Sequence, residues 1–187
     1  PALWLLIVMA GFFVIAAGMM QQFSSYASTG ALGAAVGAMG VTVCMIGQLF
    51  GKFGLGWLCD HTGARVSGVV ASIFGAAGIA IVLFSVDNAM MFYVGVFLFG
   101  IGFAALNIVP PMACRQAFGQ KDYANIFSMV ATGLNVFSGF SALIYAQIFD
   151  ITGSFAGCFY LIIGFYVVTL ICSLVIVPMG RRSWAKK

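Results

Sequence analysis

The stretch GWLCDHTGAR, Gly56 to Arg65, separates two long apolar segments of the chain. It brings together an acid, the single histidine of the chain, an arginine and two glycines. A segment of about 20 apolar residues is long enough to cross the hydrocarbon core of a bilayer. The stretch therefore predicts a polar connection between two membrane-spanning helices.

The composition of the whole chain indicates the same environment. Of the 187 residues, 63% are hydrophobic and 6% are charged, whereas soluble domains carry roughly 25% charged residues. A soluble chain of this length could not bury so much apolar surface, so we predict an all-α integral membrane protein. Two Gly-x-x-x-Gly pairs, Gly33 with Gly37 and Gly47 with Gly51, predict close helix packing within the chain.

Six apolar segments, joined by short polar connections, give the number of predicted transmembrane helices. Each segment is long enough to cross a hydrocarbon core of about 30 Å. The predicted spans are residues 2–23, 33–59, 66–86, 90–111, 124–148 and 155–178. The residues predicted to form turns between them are Ser24, Ser25, Gly30, Gly63, Asp87, Asn88, Gly119, Thr152 and Gly153.

The basic residues indicate which ends of the spans face the cytoplasm. They follow spans two, four and six, whereas the connections after spans one, three and five contain none. Because cytoplasmic connections are rich in Lys and Arg, we expect both termini in the cytoplasm and the chain in the inner (plasma) membrane. The positive charge then faces anionic lipid headgroups of the bilayer, and no nucleic-acid partner is expected. The residues concerned are Arg65, Arg115, Lys121, Arg181, Arg182, Lys186 and Lys187.

The cysteines and the histidine do not indicate a metal site or an enzyme. Five cysteines occur without C-x-x-C spacing, and we interpret them as free, buried, small hydrophobic residues. The single histidine, His61, has no cluster of metal ligands around it, and we find no nucleophile–base arrangement in the sequence. We therefore expect no metal, no cofactor and no enzymatic activity.

The opening stretch resembles the signature loop of the major facilitator superfamily, G-x-L-x-D-r-x-G-r-R, which joins helices two and three of each six-helix half. His61 and Ala64 stand where the family has basic residues. A weakened signature is more typical of the second half, and the chain starts with Pro1. We therefore expect a fragment that forms the C-terminal half of a twelve-helix transporter, with an N-terminal six-helix half as its partner. The matching residues are Gly56, Leu58, Asp60, Gly63 and Arg65.

The resemblance implies that this loop is a latch at the cytoplasmic gate. We expect Gly56 to allow close helix packing and Gly63 to form a tight turn with positive φ. Asp60 can accept hydrogen bonds from the free N–H groups of the next helix, or it can pair with a cation. Arg65 completes the motif at the start of the next helix.

Two further stretches resemble the monocarboxylate and oxalate/formate branch of the superfamily. Residues 110–133, PPMACRQAFGQKDYANIFSMVATG, are similar to its end of helix ten and start of helix eleven. Residues 145–162, YAQIFDITGSFAGCFYLI, are similar to its turn before helix twelve. The resemblance implies a secondary active transporter of a small organic anion, which works by alternating access as a proton symporter or an anion exchanger.

Lys52 is the remaining basic residue, and it lies inside span two, eight residues before Asp60. A charged side chain at this depth costs roughly 2.5–3.5 kcal/mol on insertion scales, so it usually faces a cavity or a partner. In the carboxylate branch a basic residue stands eight before the loop acid, which implies that Lys52 counters the charge of the substrate. Gln48, one turn earlier, could hydrogen-bond the substrate from the same helix face. A lysine that snorkels to the interface is the alternative.

Three polar residues in other spans are further candidates for substrate binding. Asn107 precedes Pro110 and Pro111, which we expect to break or end helix four and to free backbone carbonyl groups for a cavity. Asn135 and Ser138 are three residues apart and share one face of span five. Hydrogen bonds between helices are the alternative role for each. Two other functions stay open: a facilitator of neutral solutes, and a half-length membrane scaffold that does not transport.

Overall fold

The computed structural model describes residues 2–29, 32–85, 88–119 and 123–184, without side chains at residues 2, 117–118 and 176–184. These residues form six α-helices, each long and apolar enough to cross a membrane. The chain is therefore a multi-pass membrane protein, and the predicted fold class is confirmed. The helices are α1 Ala2–Thr29, α2 Ala34–Thr62, α3 Ala64–Phe84, α4 Ala89–Phe118, α5 Tyr123–Thr152 and α6 Ala156–Trp184.

Some residues of the predicted connections are not covered. Gly30, Asp87, Lys121, Lys186 and Lys187 lie outside the described residues. Arg181 and Arg182 lie in α6, at positions where no side chain is described.

The helices continue past some residues that we predicted to be turns. Ser24 and Ser25 lie inside α1, which ends only at Thr29, so the turn predicted at the two serines is wrong. The Thr29 hydroxyl donates a hydrogen bond to the Ser25 carbonyl, which keeps these polar groups within the helix. The predicted turn glycines that do end helices, all with positive φ, are Gly63, Gly119 and Gly153.

α4 passes through Pro110 and Pro111 and ends only at Phe118, so the prediction that these prolines break or end the helix is wrong. A proline nitrogen carries no hydrogen, and the carbonyl groups of Leu106 and Asn107 therefore lose their usual helical donors. Membrane helices tolerate prolines where neighbouring helices or a water-filled cavity satisfy the freed carbonyl groups. The freed carbonyls lie within about one helical turn of the centre of α4.

Two helices form the centre of the bundle and four surround it. α1 and α4 contact each other, and each also contacts α2, α5 and α6. Around them, α2 contacts α3, α3 contacts α6, and α6 contacts α5, whereas described residues of α2 and α5 do not contact each other. Only 11% of the α5 span and 28% of the α2 span is buried, against 39–44% for the others. The bundle is therefore open on the side between α2 and α5.

Glycines bring α2 and α4 into close contact. A Cβ atom at Gly51 would lie 2.8 Å from the Cβ of Ala104 and the Cα of Ile101. Such contacts normally measure about 3.5–4.0 Å between carbon atoms. Gly47, one turn earlier, lies against the carbonyl oxygen of Phe97 in the same way. The prediction that this glycine pair packs within the chain is confirmed.

The other glycine pair has two different roles. A Cβ atom at Gly37 would lie 2.9 Å from the Cβ of Ala27, so Gly37 packs against α1 as predicted. A Cβ atom at Gly33 would meet nothing within 4 Å. The prediction that Gly33 packs against another helix is therefore wrong. Gly33 instead precedes α2 with a φ of 87°, a conformation that glycine adopts without strain.

The core of the bundle is apolar, with a few satisfied polar groups. All five cysteines are free and buried, as predicted. The buried hydroxyl of Tyr145 in α5 donates to the carbonyl of Ile15 in α1. The Ser72 hydroxyl of α3 lies 3.1 Å from that of Thr169 in α6. Among the described residues, every fully buried side-chain nitrogen or oxygen has a hydrogen-bond partner.

Candidate functional site

The opening between α2 and α5 exposes a cleft on the central helices, with polar side chains among its apolar walls. One part, here the mouth cleft, has a volume of about 550 Å³ and is lined by Gly56 and Asp60 of α2, Arg115 of α4 and Tyr123 of α5, among others. A second part, here the inner cleft, has a volume of about 300 Å³. Volumes of this size are within the range of small-molecule sites.

The inner cleft joins residues of three helices. Asn107 and Pro111 of α4 line both the inner cleft and the mouth cleft, so the two parts meet there. Asn135 and Ser138 of α5 line the inner cleft opposite α4, and Val14 of α1 forms part of its wall. The structure thus brings together three of the five residues that we predicted to bind substrate.

The inner cleft has an apolar wall with three uncharged polar side chains in it. Asn107, Asn135 and Ser138 are all exposed. The amide nitrogen of Asn135 donates a hydrogen bond to the Ala131 carbonyl at 3.0 Å, so its second amide hydrogen and its oxygen are not used by that bond. Because the proline nitrogen of Pro111 cannot donate, the Asn107 carbonyl adds an acceptor at the same level. The inner cleft therefore offers several donors and acceptors to a polar ligand.

Lys52 and Gln48 do not line either part of the cleft. Lys52 is exposed and Gln48 is half-buried on α2. Lys52 lies four and eight residues before Gly56 and Asp60, which do line the mouth cleft, so all three share one side of the helix. The eight-residue spacing puts Lys52 about 12 Å deeper than Asp60 along the axis.

The helix packing gives the depth of Lys52 relative to the inner cleft. Gly51 lies against Ile101 and Ala104, and α2 and α4 run in the same direction. Lys52 is therefore level with the middle of α4, within about one helical turn of Asn107 along the axis. The lysine is therefore at the depth of the inner cleft, on the face of α2 that carries Gly56 and Asp60.

The connection between α2 and α3 is held by a residue that the sequence analysis did not single out. Gln116, in the last turn of α4, accepts a hydrogen bond from the backbone N–H of Ala64 at 3.1 Å. This N–H is one of the free donors at the start of α3. Gly63 turns the chain just before it, with a φ of 92° as predicted. Gln116 therefore ties the end of α4 to the motif loop.

The other motif residues differ from the expectation in part. A Cβ atom at Gly56 would meet nothing within 4 Å, so its predicted role in close helix packing is wrong; Gly56 instead leaves space in the mouth cleft. Asp60 is exposed within α2, and the Ala64 N–H that it could have bonded is taken by Gln116. Arg65 is exposed in the first turn of α3.

Arg115 is a second residue that the sequence analysis assigned elsewhere. The expectation that it faces lipid headgroups stays a prediction; the structure places it, exposed, in the lining of the mouth cleft, which Asp60 also lines. The spacing of Arg115 from Asn107 and Pro111 in the sequence could have indicated its place in the cleft. Arg115 follows Asn107 by eight residues and Pro111 by four, which puts all three on one face of α4.

No protein-family model and no curated protein sequence matches this chain. A solved structure described as the crystal structure of an auto-inhibited POT family peptide transporter has the same fold, with a TM-score of 0.74 and 19% sequence identity. The match covers 97% of this chain and 37% of that transporter. The six helices therefore have the same fold as the matched part of that transporter, which agrees with the fold that the signature loop predicted. At this identity the likeness concerns the fold alone.

Proposed function

We propose that the chain is the C-terminal six-helix half of a secondary transporter that moves a small organic anion, such as a monocarboxylate, by alternating access. In such transporters the substrate site lies near the middle of the membrane, between two halves that rock about it. The observation that carries the proposal is the open side between α2 and α5, where a cleft of about 300 Å³ with three polar side chains lies at mid-helix depth. The N-terminal half would close this side.

Lys52 supplies the positive charge in this proposal. It is level with Asn107 and on the side of α2 that borders the mouth cleft. Its ammonium group counters a carboxylate on the ligand, and Gln48, one turn deeper, donates to a carboxylate oxygen. Asn107, Asn135 and Ser138 hydrogen-bond the rest of the ligand from the inner cleft. The transport cycle is completed by proton symport or anion exchange.

The α2–α3 loop acts as the gate at the mouth of the cleft. Gly63 and the bond from Ala64 to Gln116 fix its shape, and Asp60 and Arg65 are its charged groups. With this end of the bundle in the cytoplasm, as the basic residues favour, the cleft opens inward and both termini of the segment are cytoplasmic.

Transport of a labelled carboxylate tests the proposal. The complete protein, reconstituted in proteoliposomes, is expected to take up or exchange acetate, and Lys52→Gln is expected to reduce this uptake about 10- to 100-fold. That range corresponds to the loss of a charge-assisted hydrogen bond of about 1.5–3 kcal/mol. Lys52→Arg keeps the charge and should retain most of the uptake. Unchanged acetate uptake by Lys52→Gln contradicts the proposal.

A facilitator of neutral solutes is the second candidate. The uncharged lining of the inner cleft favours it, since Asn107, Asn135 and Ser138 suit a polyol as well as an anion. In this case Lys52→Gln leaves the uptake of glycerol or a sugar at the parent level, while Asn135→Ala reduces it.

A further inference from the structure

We propose that Arg115 forms a second carboxylate site in the mouth cleft, which binds the same small anion as it passes between the inner cleft and the aqueous phase. The inference rests on the proposed anion transport, but it concerns a different residue, a different helix and a different depth. Nothing in the sequence motifs assigned Arg115 to the substrate.

The position of Arg115 connects it to the inner cleft. The residue is exposed in the mouth cleft, and eight residues, about 12 Å along α4, separate it from Asn107. Pro111 lies halfway between them on the same face and lines both parts of the cleft. A ligand that leaves Asn107 toward the mouth therefore reaches the guanidinium group next.

The chemistry of the mouth cleft suits a carboxylate. A guanidinium group presents a planar fork of N–H donors that matches the two carboxylate oxygens. Tyr123 of α5 lines the same cleft, and its hydroxyl can donate a further hydrogen bond. The ring of Tyr123 stacks on that of Phe127 at 5.5 Å, which holds it in place. With about 550 Å³, the mouth cleft accommodates an anion of a few carbon atoms.

Asp60 adds a negative charge to the mouth cleft, beside the positive charge of Arg115. It is exposed and lines the same cleft, and no ion pair joins Asp60 or Arg115 to another residue of the described segments. A carboxylate on Arg115 is therefore attracted by the guanidinium and repelled by Asp60, so it is held weakly. Weak binding suits a site of passage, because the anion must leave it again. Removal of either charge should change anion affinity, with opposite signs.

Two readouts test the mouth site with acetate as the probe. In the first assay, the thermal stabilisation of the complete protein by acetate is measured in detergent. In the second, the KM of acetate transport is measured in proteoliposomes, with acetate added on the side of the membrane to which the mouth cleft opens. Arg115→Gln should raise both the apparent Kd and this KM about tenfold, as expected for loss of a charge-assisted bond. Arg115→Lys keeps the charge without the fork and should give an intermediate value. Asp60→Asn should lower both constants, by up to about fivefold for an exposed charge.

The outcomes separate the mouth site from the proposed function. If Arg115→Gln, with a parental unfolding temperature, leaves this KM of acetate unchanged while Lys52→Gln reduces uptake as proposed, the mouth site is wrong and anion transport stands. If Arg115→Gln weakens acetate binding while Lys52→Gln does not, the mouth site stands and the role of Lys52 is wrong. If acetate neither binds to nor is carried by the parent protein, both are wrong. A change of the same sign in Asp60→Asn and Arg115→Gln also overturns the mouth site.

Discussion

Replacing Gly51 with alanine would add a methyl group where α2 and α4 are in close contact. Its Cβ would lie 2.8 Å from both the Cα of Ile101 and the Cβ of Ala104. This is about 1 Å less than the usual separation of two carbon atoms. Neither neighbour can rotate away, because one is a backbone atom and the other is fixed to the backbone. The two helices must therefore separate, and overpacking of this kind costs about 1–3 kcal/mol.

Gly54→Ala is a matched control on the same helix. Gly54 is exposed three residues later, and a Cβ atom there would meet nothing within 4 Å. Both substitutions gain the helix propensity of alanine over glycine, about 0.8–1 kcal/mol, but only Gly51→Ala introduces the overlap. The free energies of unfolding of the two variants should therefore differ by about 1–3 kcal/mol, with Gly54→Ala the more stable.

Thermal unfolding in detergent measures this difference. The five free, buried cysteines allow a thiol-reactive dye to report unfolding without a label. At about 2–4 °C for each kcal/mol in a chain of this size, Gly51→Ala should unfold roughly 2–12 °C below Gly54→Ala. Equal unfolding temperatures would refute the conclusion that Gly51 determines the spacing of α2 and α4.

Substitutions at two further residues test hydrogen bonds in the same dye assay. Gln116→Ala leaves the Ala64 N–H without its acceptor and should lower the free energy of unfolding by about 1–3 kcal/mol. Gln116→Glu keeps an acceptor oxygen and should be close to the parent in stability. If the two variants have the same stability, the account of the loop is wrong. Tyr145→Phe removes the donor to the Ile15 carbonyl and should lower stability by about 0.5–1.5 kcal/mol, with an unchanged value counting against this link between α1 and α5.

The sequence predicts the fold well because one physical constraint dominates it. Helices must satisfy their own backbone groups in lipid, so long apolar segments predict helices regardless of their neighbours. The turn at Gly63 also followed from local chemistry, since its φ of 92° suits glycine. The prediction failed at Pro110 and Pro111, where local preference disfavours a helix. There the membrane environment keeps α4 continuous, and the cleft provides space beside the carbonyls that the prolines leave unpaired.

The candidate site was predictable only in part. Asn107, Asn135 and Ser138 stood out because polar side chains inside apolar spans are rare, and they do line one cleft. Gln116 and Arg115 did not stand out, because polar and basic residues are ordinary at the ends of membrane helices. Their roles depend on which helices pack together, and a single sequence does not contain that information in any local pattern.

The central claim is that residue 52 faces an aqueous path within the membrane, and thiol accessibility tests it most directly. In the complete protein in proteoliposomes, the side chain of the Lys52→Cys variant should react with a charged, membrane-impermeant thiosulfonate, and acetate should slow the reaction. The neighbouring Phe53, a residue that is 73% exposed, lies on another side of α2, so Phe53→Cys is the control and should not react. A cysteine at position 52 that reacts only with a lipid-soluble reagent, or at the same rate with and without acetate, would contradict the account.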